Sequence, residues 1–532
     1  MLNNLRLSKR LKTSKYGISF RDHLNDFYQN GSGRNILLKR KITKLKDYPN
    51  SYQVEVELKN ISKTTKFINS VVIADITLPK TLGSFVDVLY NEWTQSGSCK
   101  ILKEIKETEK SDYIMMRDQN PFSFLEEYGY LKGSLISEWF SRLSFEKIHL
   151  MVGALTTSNQ YTVIYLKNEG GLARVRVVCQ FDEIDLPVGE KLKTEKVVFM
   201  WDKNSGLENK FAKLVSKKMK LKNVPREING ICCAYYAQGN MVNEEYVMNT
   251  LHKIDEKKNS GHLVNTDTIL IDAGYCEFGD WLNHKNQFPG GMNNIATEIR
   301  SRGLKAGIWI APIIATINSQ LYQTHKNWFI QGFEGRKTQP FDFIDSLSLM
   351  ILDPTLTEVK NYLGQVYRQY YDWGFRVFKI DFVYPLGFTT DFSRNVTRAQ
   401  ALTGLLDVIK SSVGKDAIFL SAISQLSPLV GYMDFVRTGI DTTSPLSYAF
   451  PVFRGVVNNY MLEKNIESYK GRSFFNGKVW NADIDCLVLN QNTGLDKNLI
   501  IEQQILMNQS NARWLGDDIR GMGSGDVLYE II

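Results

Sequence analysis

Phe375-Arg-Val-Phe-Lys-Ile-Asp-Phe382 is an apolar run that ends on a lysine, Lys379, and a carboxylate, Asp381. Upstream, Asp353-Pro354 reads as a helix start, an N-cap carboxylate followed by proline at the first helical position. Val359, Tyr362, Leu363, Val366, Tyr370 and Trp373 then recur at helical spacing, and Gly374 falls where a C-terminal cap belongs. A helix therefore feeds a short strand. Strands rich in Val, Ile and Phe that alternate with helices form parallel sheets, and catalytic groups gather at the C-terminal ends of such strands. Asp381 sits at such an end.

The same grammar recurs through the second half of the chain. Residues 231–236, 268–273, 306–312, 375–382, 417–422, 433–439 and 486–489 are short apolar runs, and an eighth strand is expected within 472–480. Amphipathic helices separate several of them, as at 294–302, which stops at Gly303. A (β/α)8 TIM barrel over 225–532, with its strands between about 225 and 515, fits this order. A doubly wound sheet would carry a glycine-rich phosphate loop, and the chain has none.

The first two hundred residues follow period two. Residues 52–58 alternate strictly, and 71–78, 161–166, 173–181 and 196–201 are further strands between polar turns, which predicts an antiparallel β-sandwich over 1–205. The basic stretch that follows, 206–224, reads as a solvated helix or linker rather than a binding patch. The fold class is thus multidomain, an all-β sandwich preceding an α/β barrel.

At 532 residues and 43% hydrophobic content, the chain can bury more than one core. A net charge of +8 is mild for this length, and no interleaving of aromatic and basic residues suggests nucleic acid. Residues 1–12 lack the apolar stretch of a signal peptide and no later run is long enough to span a bilayer, so the expectation is a cytoplasmic protein without membrane contact. The six cysteines are scattered without a CxxC pair and the six histidines form no compact ligand set; buried free thiols, no metal and no cofactor are expected.

A barrel with carboxylates but without metal, nucleotide loop or histidine triad suits glycosidic bond cleavage, which needs one carboxyl group to attack C1 and another to protonate the departing oxygen. Arg437-Thr-Gly-Ile-Asp441 supplies the second, with Asp441 as candidate acid/base. Asp483 and Asp485 form a third acidic cluster. A lone Lys-x-Asp at a strand end is equally consistent with a structural ion pair.

The order of motifs resembles the α-galactosidases of glycoside hydrolase family 36 and their clan D relatives. Asp272-Ala-Gly-Tyr275, Gly279-Asp-Trp281, Phe288-Pro-Gly-Gly-Met292, Gly307-Ile-Trp-Ile-Ala-Pro312, Leu352-Asp-Pro-Thr355, Phe378-Lys-Ile-Asp-Phe382, Arg437 to Asp441 and Asp483-Ile-Asp-Cys486 carry the resemblance. Asn91-Glu-Trp93-Thr-Gln-Ser96 is similar to a tryptophan loop that the family's sandwich lends to the barrel mouth. The resemblance implies a retaining exo-glycosidase acting on an oligosaccharide or other glycoside. Asp381 would be nucleophile and Asp441 acid/base; Asp272, Trp309, Lys379, Arg437, Trp93 and Asp485 would bind substrate. Lys379 would keep Asp381 ionised, and Trp309 reads as either a sugar-facing wall or a core residue. Asp434 is the other reading of the acid/base, although it falls inside the expected strand.

Departures from the family pattern fall where the sugar is chosen. Ala273 replaces a second recognition aspartate, and Ser421-Ala-Ile423 replaces a glycine-cysteine-glycine segment. β-L-Arabinopyranosides and α-N-acetylgalactosaminides therefore stand beside α-galactosides as substrates. A transglycosylase of the raffinose-synthase type and an inactive sugar-binding barrel are the alternative functions, and homo-oligomerisation is open. The family's C-terminal β-domain is not expected within this sequence.

Overall fold

The computed structural model describes residues 2–20, 23–29, 35–106, 133–222, 226–233, 242–260, 265–284, 286–330, 349–443 and 451–521. Two compact units result, one of residues 1–222 with 386–403 and 425–431, the other of 223–385, 404–424 and 432–532.

The first unit is built on two antiparallel sheets. One, six-stranded, runs His23–Gln29, Lys15–Phe20, Lys66–Thr77, Leu172–Leu186, Thr162–Glu169, Leu135–Glu138. The other runs Lys191–Lys193, Ser51–Asn60, Val197–Asp202, Ile148–Ala154, Phe140–Phe145, Phe85–Asn91, Cys99–Leu102, with Ile36–Lys44 also paired to Ser51–Asn60. In Ser51–Asn60 the alternation read from sequence becomes alternating burial, with Val54, Val56 and Leu58 fully buried. The basic stretch after the sheets contains the helix Leu207–Met219, which is more than a solvated linker because Leu207, Phe211, Ala212, Leu214 and Val215 are buried. Phe211 packs on Trp139 and Phe140, and Gly153 allows the close approach: a Cβ there would lie 2.6 Å from the Phe211 ring.

The second unit contains an eight-stranded parallel sheet. Its strands are β1 (Ile228–Cys233), β2 (Thr268–Ile271), β3 (Lys305–Ile310), β4 (Phe375–Ile380), β5 (Ile418–Ser421), β6 (Phe435–Arg437), β7 (Asn481–Asp483) and β8 (Ala512–Leu515). Each pairs in parallel with the next from β1 to β7, and β8 pairs with β1. The ring closes just past β7, where Leu487 bridges Leu515, its N–H donating to the Trp514 carbonyl at 2.8 Å. Ile228, Cys232, Leu270, Val377, Leu420, Phe435 and Trp514 share the barrel core. Gly230 is needed at the β1–β8 seam, since a Cβ there would sit 2.1 Å from the Trp514 ring.

Three expectations require correction. The seventh strand is Asn481–Asp483 and not 486–489, which instead supplies the closing bridge. The eighth is Ala512–Leu515; the 472–480 stretch is the end of the helix Arg454–Arg472 followed by a 3-10 turn. Both errors arise because residues of a three- or four-residue buried strand carry too little periodicity to be separated from neighbouring apolar turns. Asp353 does not cap the helix Thr357–Trp373, whose N-cap is Leu356; it accepts from the Thr355 N–H and hydroxyl in a local turn. At the other end Gly374 is the C-cap, at φ 110°. Residues 234–236 of the first expected strand lie outside the described residues.

Candidate active site

Trp309 on β3 and Lys379 on β4 are register partners, and Asp381 follows two residues after Lys379 on the same face. Trp309 Nε1 donates to Asp381 Oδ2 at 2.9 Å, while the Phe382 N–H donates to Oδ1 at 2.7 Å. That second bond comes with Phe382 at φ 51°, a left-handed conformation costly for a bulky residue and characteristic of functional positions. Burial pushes the Asp381 carboxyl above its ordinary range; Lys379, Trp309, Arg437 and the Phe382 N–H offset this only in part.

Lys379 makes its direct ion pair with Asp272 at the end of β2, Nζ to Oδ2 at 2.8 Å. The Cys232 thiol donates to the same oxygen at 3.2 Å and the Ala273 N–H to Oδ1 at 2.8 Å. Burial works against the Asp272 charge, but the Lys379 ammonium and these donors outweigh it and hold the carboxyl below its usual range. The lysine is thus fixed by Asp272 and acts on Asp381 through space, as a nearby opposite charge that favours its anion.

Across the barrel mouth, Arg437 ends β6 and divides its guanidinium among carboxylates. NH1 donates to Asp441 Oδ1 at 2.6 Å, NH2 pairs with Asp485 Oδ1, and Nε lies 3.8 Å from Asp483 Oδ2. Asp485, at φ 71°, also accepts from the Thr442 N–H through Oδ2 at 2.8 Å, and its own N–H donates to Asp483 Oδ1 at 2.8 Å. Burial pushes Asp441 up to about 7; Arg437 and Lys379 oppose this, while the negative charges of Asp485 and Asp381 add to it. Asp441 side-chain exposure is 15%, against 0% for Asp483 and Asp485, so Asp441 is the member of this acidic group that solvent reaches.

Asp272, Trp309, Lys379, Asp381, Arg437, Asp441 and Asp485 thus converge at C-terminal strand ends of one unit. Trp93 belongs to the other unit, where it is buried and edge-on to Phe388 at 4.7 Å. Asp434 precedes β6, accepts from the Phe419 N–H at 2.9 Å and pairs with Arg226 at 3.5 Å, a structural setting at the opposite strand end from Asp441. The thiol of Cys232, on Asp272, was not legible as a site group; its place at the end of β1 was the one available signal. Trp309 is 2% exposed and its ring packs among Phe278, Trp281 and Phe382, so its indole N–H is its contribution to the acidic centre. Among the described residues no cluster of three metal-ligating side chains occurs, and no helix is long and apolar enough to cross a membrane.

The family model described as Melibiase matches residues 271–383, from the end of β2 to just past Asp381. α-Galactosidase AgaA of Geobacillus stearothermophilus is 22% identical over 204 residues, 33% of this chain and 26% of AgaA. α-Galactosidase Mel36A of Lactobacillus acidophilus is 36% identical over 95 residues, 16% of this chain and 12% of Mel36A. The aligned stretches therefore span about a quarter or less of these relatives' length. The α-galactosidase TtGalA of Thermus thermophilus superposes over 91% of this chain and 92% of its own, with a TM-score of 0.64 and 17% identity. The chain is similar, in these stretches and in fold, to the α-galactosidases of glycoside hydrolase family 36. The matched segment carries Asp272, Trp309, Lys379 and Asp381, whereas Arg437, Asp441 and Asp485 lie beyond it and stand on geometry.

Proposed function

We propose that the protein is a retaining exo-glycosidase acting on α-galactoside-like chain ends. Two buried carboxyl groups in one electrostatic network, of which Asp441 is the one pushed up to about 7, carry this reading. Asp381 is surrounded by four groups that favour its anion, Lys379, Arg437, the Trp309 indole and the Phe382 N–H. Burial pushes Asp441 up to about 7, so near neutral pH a substantial fraction of it carries a proton. In the first step a carboxylate oxygen of Asp381 forms a bond to C1 as the C1–O bond breaks, and the Asp441 proton passes to the departing oxygen. Esterification removes the Asp381 charge, one of the causes that raises Asp441. Asp441 then ionises more readily and takes a proton from the water that attacks C1, which releases the sugar and regenerates Asp381.

The choice of sugar rests on the relatives: TtGalA binds p-nitrophenyl α-D-galactopyranoside and stachyose, and a variant of AgaA binds raffinose. Asp272 keeps a carboxylate for a sugar hydroxyl, while Ala273 presents a methyl group beside it. A panel of aryl α-galactoside, α-N-acetylgalactosaminide and β-L-arabinopyranoside tests both parts. Release of the aryl alcohol from one sugar is expected, reduced at least about 10³-fold in Asp381→Asn. Asp441→Asn is expected to spare activated aryl leaving groups in the first step and to abolish turnover of unactivated glycosides. No release from any of the three, or an equal loss with every leaving group in Asp441→Asn, sinks the assignment.

A further inference from the structure

Arg437 and Asp441 alone would form a tight buried ion pair, and an aspartate held in that way is a poor proton donor. The structure places a second carboxylate on the same guanidinium. Asp485 takes a second nitrogen of the same guanidinium, and its other oxygen receives the N–H of Thr442, the residue next to Asp441. Asp485 is itself fixed: its N–H is bonded to Asp483, and the Thr442 hydroxyl donates to the Cys486 carbonyl at 2.8 Å. From the helix Lys497–Asn508, the buried Gln503 donates to the Thr442 hydroxyl at 3.0 Å and to the Cys486 carbonyl at 3.1 Å, tying the loop after β6 to the segment after β7. With no side-chain exposure, Asp485 is not placed to receive a sugar hydroxyl.

We propose that Asp485 is a positioning residue for the acid/base: it draws the Arg437 charge away from Asp441 and anchors the backbone beside it, so that Asp441 keeps its proton until the leaving group takes it. This rests on the reading of Asp441 as the acid. The charged groups that face Asp441 are Arg437 on β6, Asp485 at the end of β7, and Lys379 and Asp381 at the end of β4, with Asp483 acting on Arg437. Removing the Asp485 charge deletes a neighbour that favours the protonated acid and leaves the guanidinium less divided. Both effects have the same sign.

The test is the pH profile of kcat/KM for a glycoside with an unactivated leaving group, whose basic limb reports the acid in the free enzyme. Asp485→Asn preserves shape and an acceptor for the Thr442 N–H. Its basic limb is expected to move to lower pH by about 1 unit, with a proportionally smaller loss on a dinitrophenyl glycoside. A purely structural role would lower activity at every pH and with both leaving groups alike. A folded variant whose basic limb is unmoved or moves to higher pH overturns the proposal. If Asp485→Asn does not fold, Asp483→Asn serves instead; it should move the limb in the same direction by less, and an unmoved limb there is equally fatal. Full activity of Asp441→Asn on unactivated glycosides would overturn the acid assignment itself. An inactive Asp441→Asn beside an unmoved Asp485→Asn limb overturns only the role of Asp485.

Discussion

Trp309 illustrates how one side chain can be identified from sequence while its work stays hidden. A tryptophan on a barrel strand suggests a sugar-facing wall or a core residue, yet the indole is almost wholly buried and its N–H is aimed at Asp381. A hydrogen bond to a charged group contributes roughly 1.5–3 kcal/mol. Trp309→Phe keeps the ring and deletes the donor. Because that bond lowers the proton affinity of a carboxyl already raised by burial, its loss raises it further. The acidic limb of kcat/KM should move to higher pH, with a loss of about 10- to 100-fold at the optimum. An unchanged acidic limb would show that the indole acts through packing alone. The pairing was illegible beforehand because Trp309 and Asp381 are 72 positions apart, and only the β3–β4 register makes them neighbours.

At the scale of elements, glycines mark where strands and helices must come close. Gly439, inside Arg437-Thr-Gly-Ile-Asp441, lies against the helix Arg454–Arg472: a Cβ there would meet Asn465 Oδ1 at 2.2 Å and its Cα at 2.9 Å. The side-chain oxygen could move, but the backbone could not without displacing the helix, and Asn465 also donates to the Ile484 carbonyl at 2.9 Å. Gly439→Ala should therefore cost about 1–3 kcal/mol as overpacking and lower the thermal transition of the barrel, with a fall in activity as the loop bearing Asp441 shifts. Gly404 is the internal contrast. It lies within the helix Arg398–Ser411 with nothing within 4 Å of its Cβ position, so Gly404→Ala should stabilise by about 0.5–1 kcal/mol. Equal thermal shifts in the two variants would refute the close-approach argument. Gly374 was readable as a cap because periodicity stops there; the contact of Gly439 was not, since its partner helix follows later in the chain.

Across the whole molecule, the six cysteines are buried. Burial pushes the thiols of Cys179 up to about 12 and of Cys486 well above its usual value, so thiolate is scarce. Native protein should show no fast reaction with a thiol reagent, and all six should titrate in denaturant; a thiol that reacts at once in the native state would contradict the packing of its strand. The alternation of Ser51–Asn60, the cap at Gly374 and the charged ends of β4 and β6 were set by sequence alone, because each depends on residues within a turn or two of one another. Tertiary structure decided which segments close the barrel, that Lys379 pairs with Asp272 across 107 positions, and that Arg437 is shared among three carboxylates. Proton affinity is set by burial and by charges acting through space, and neither exists until the ring of strands has closed.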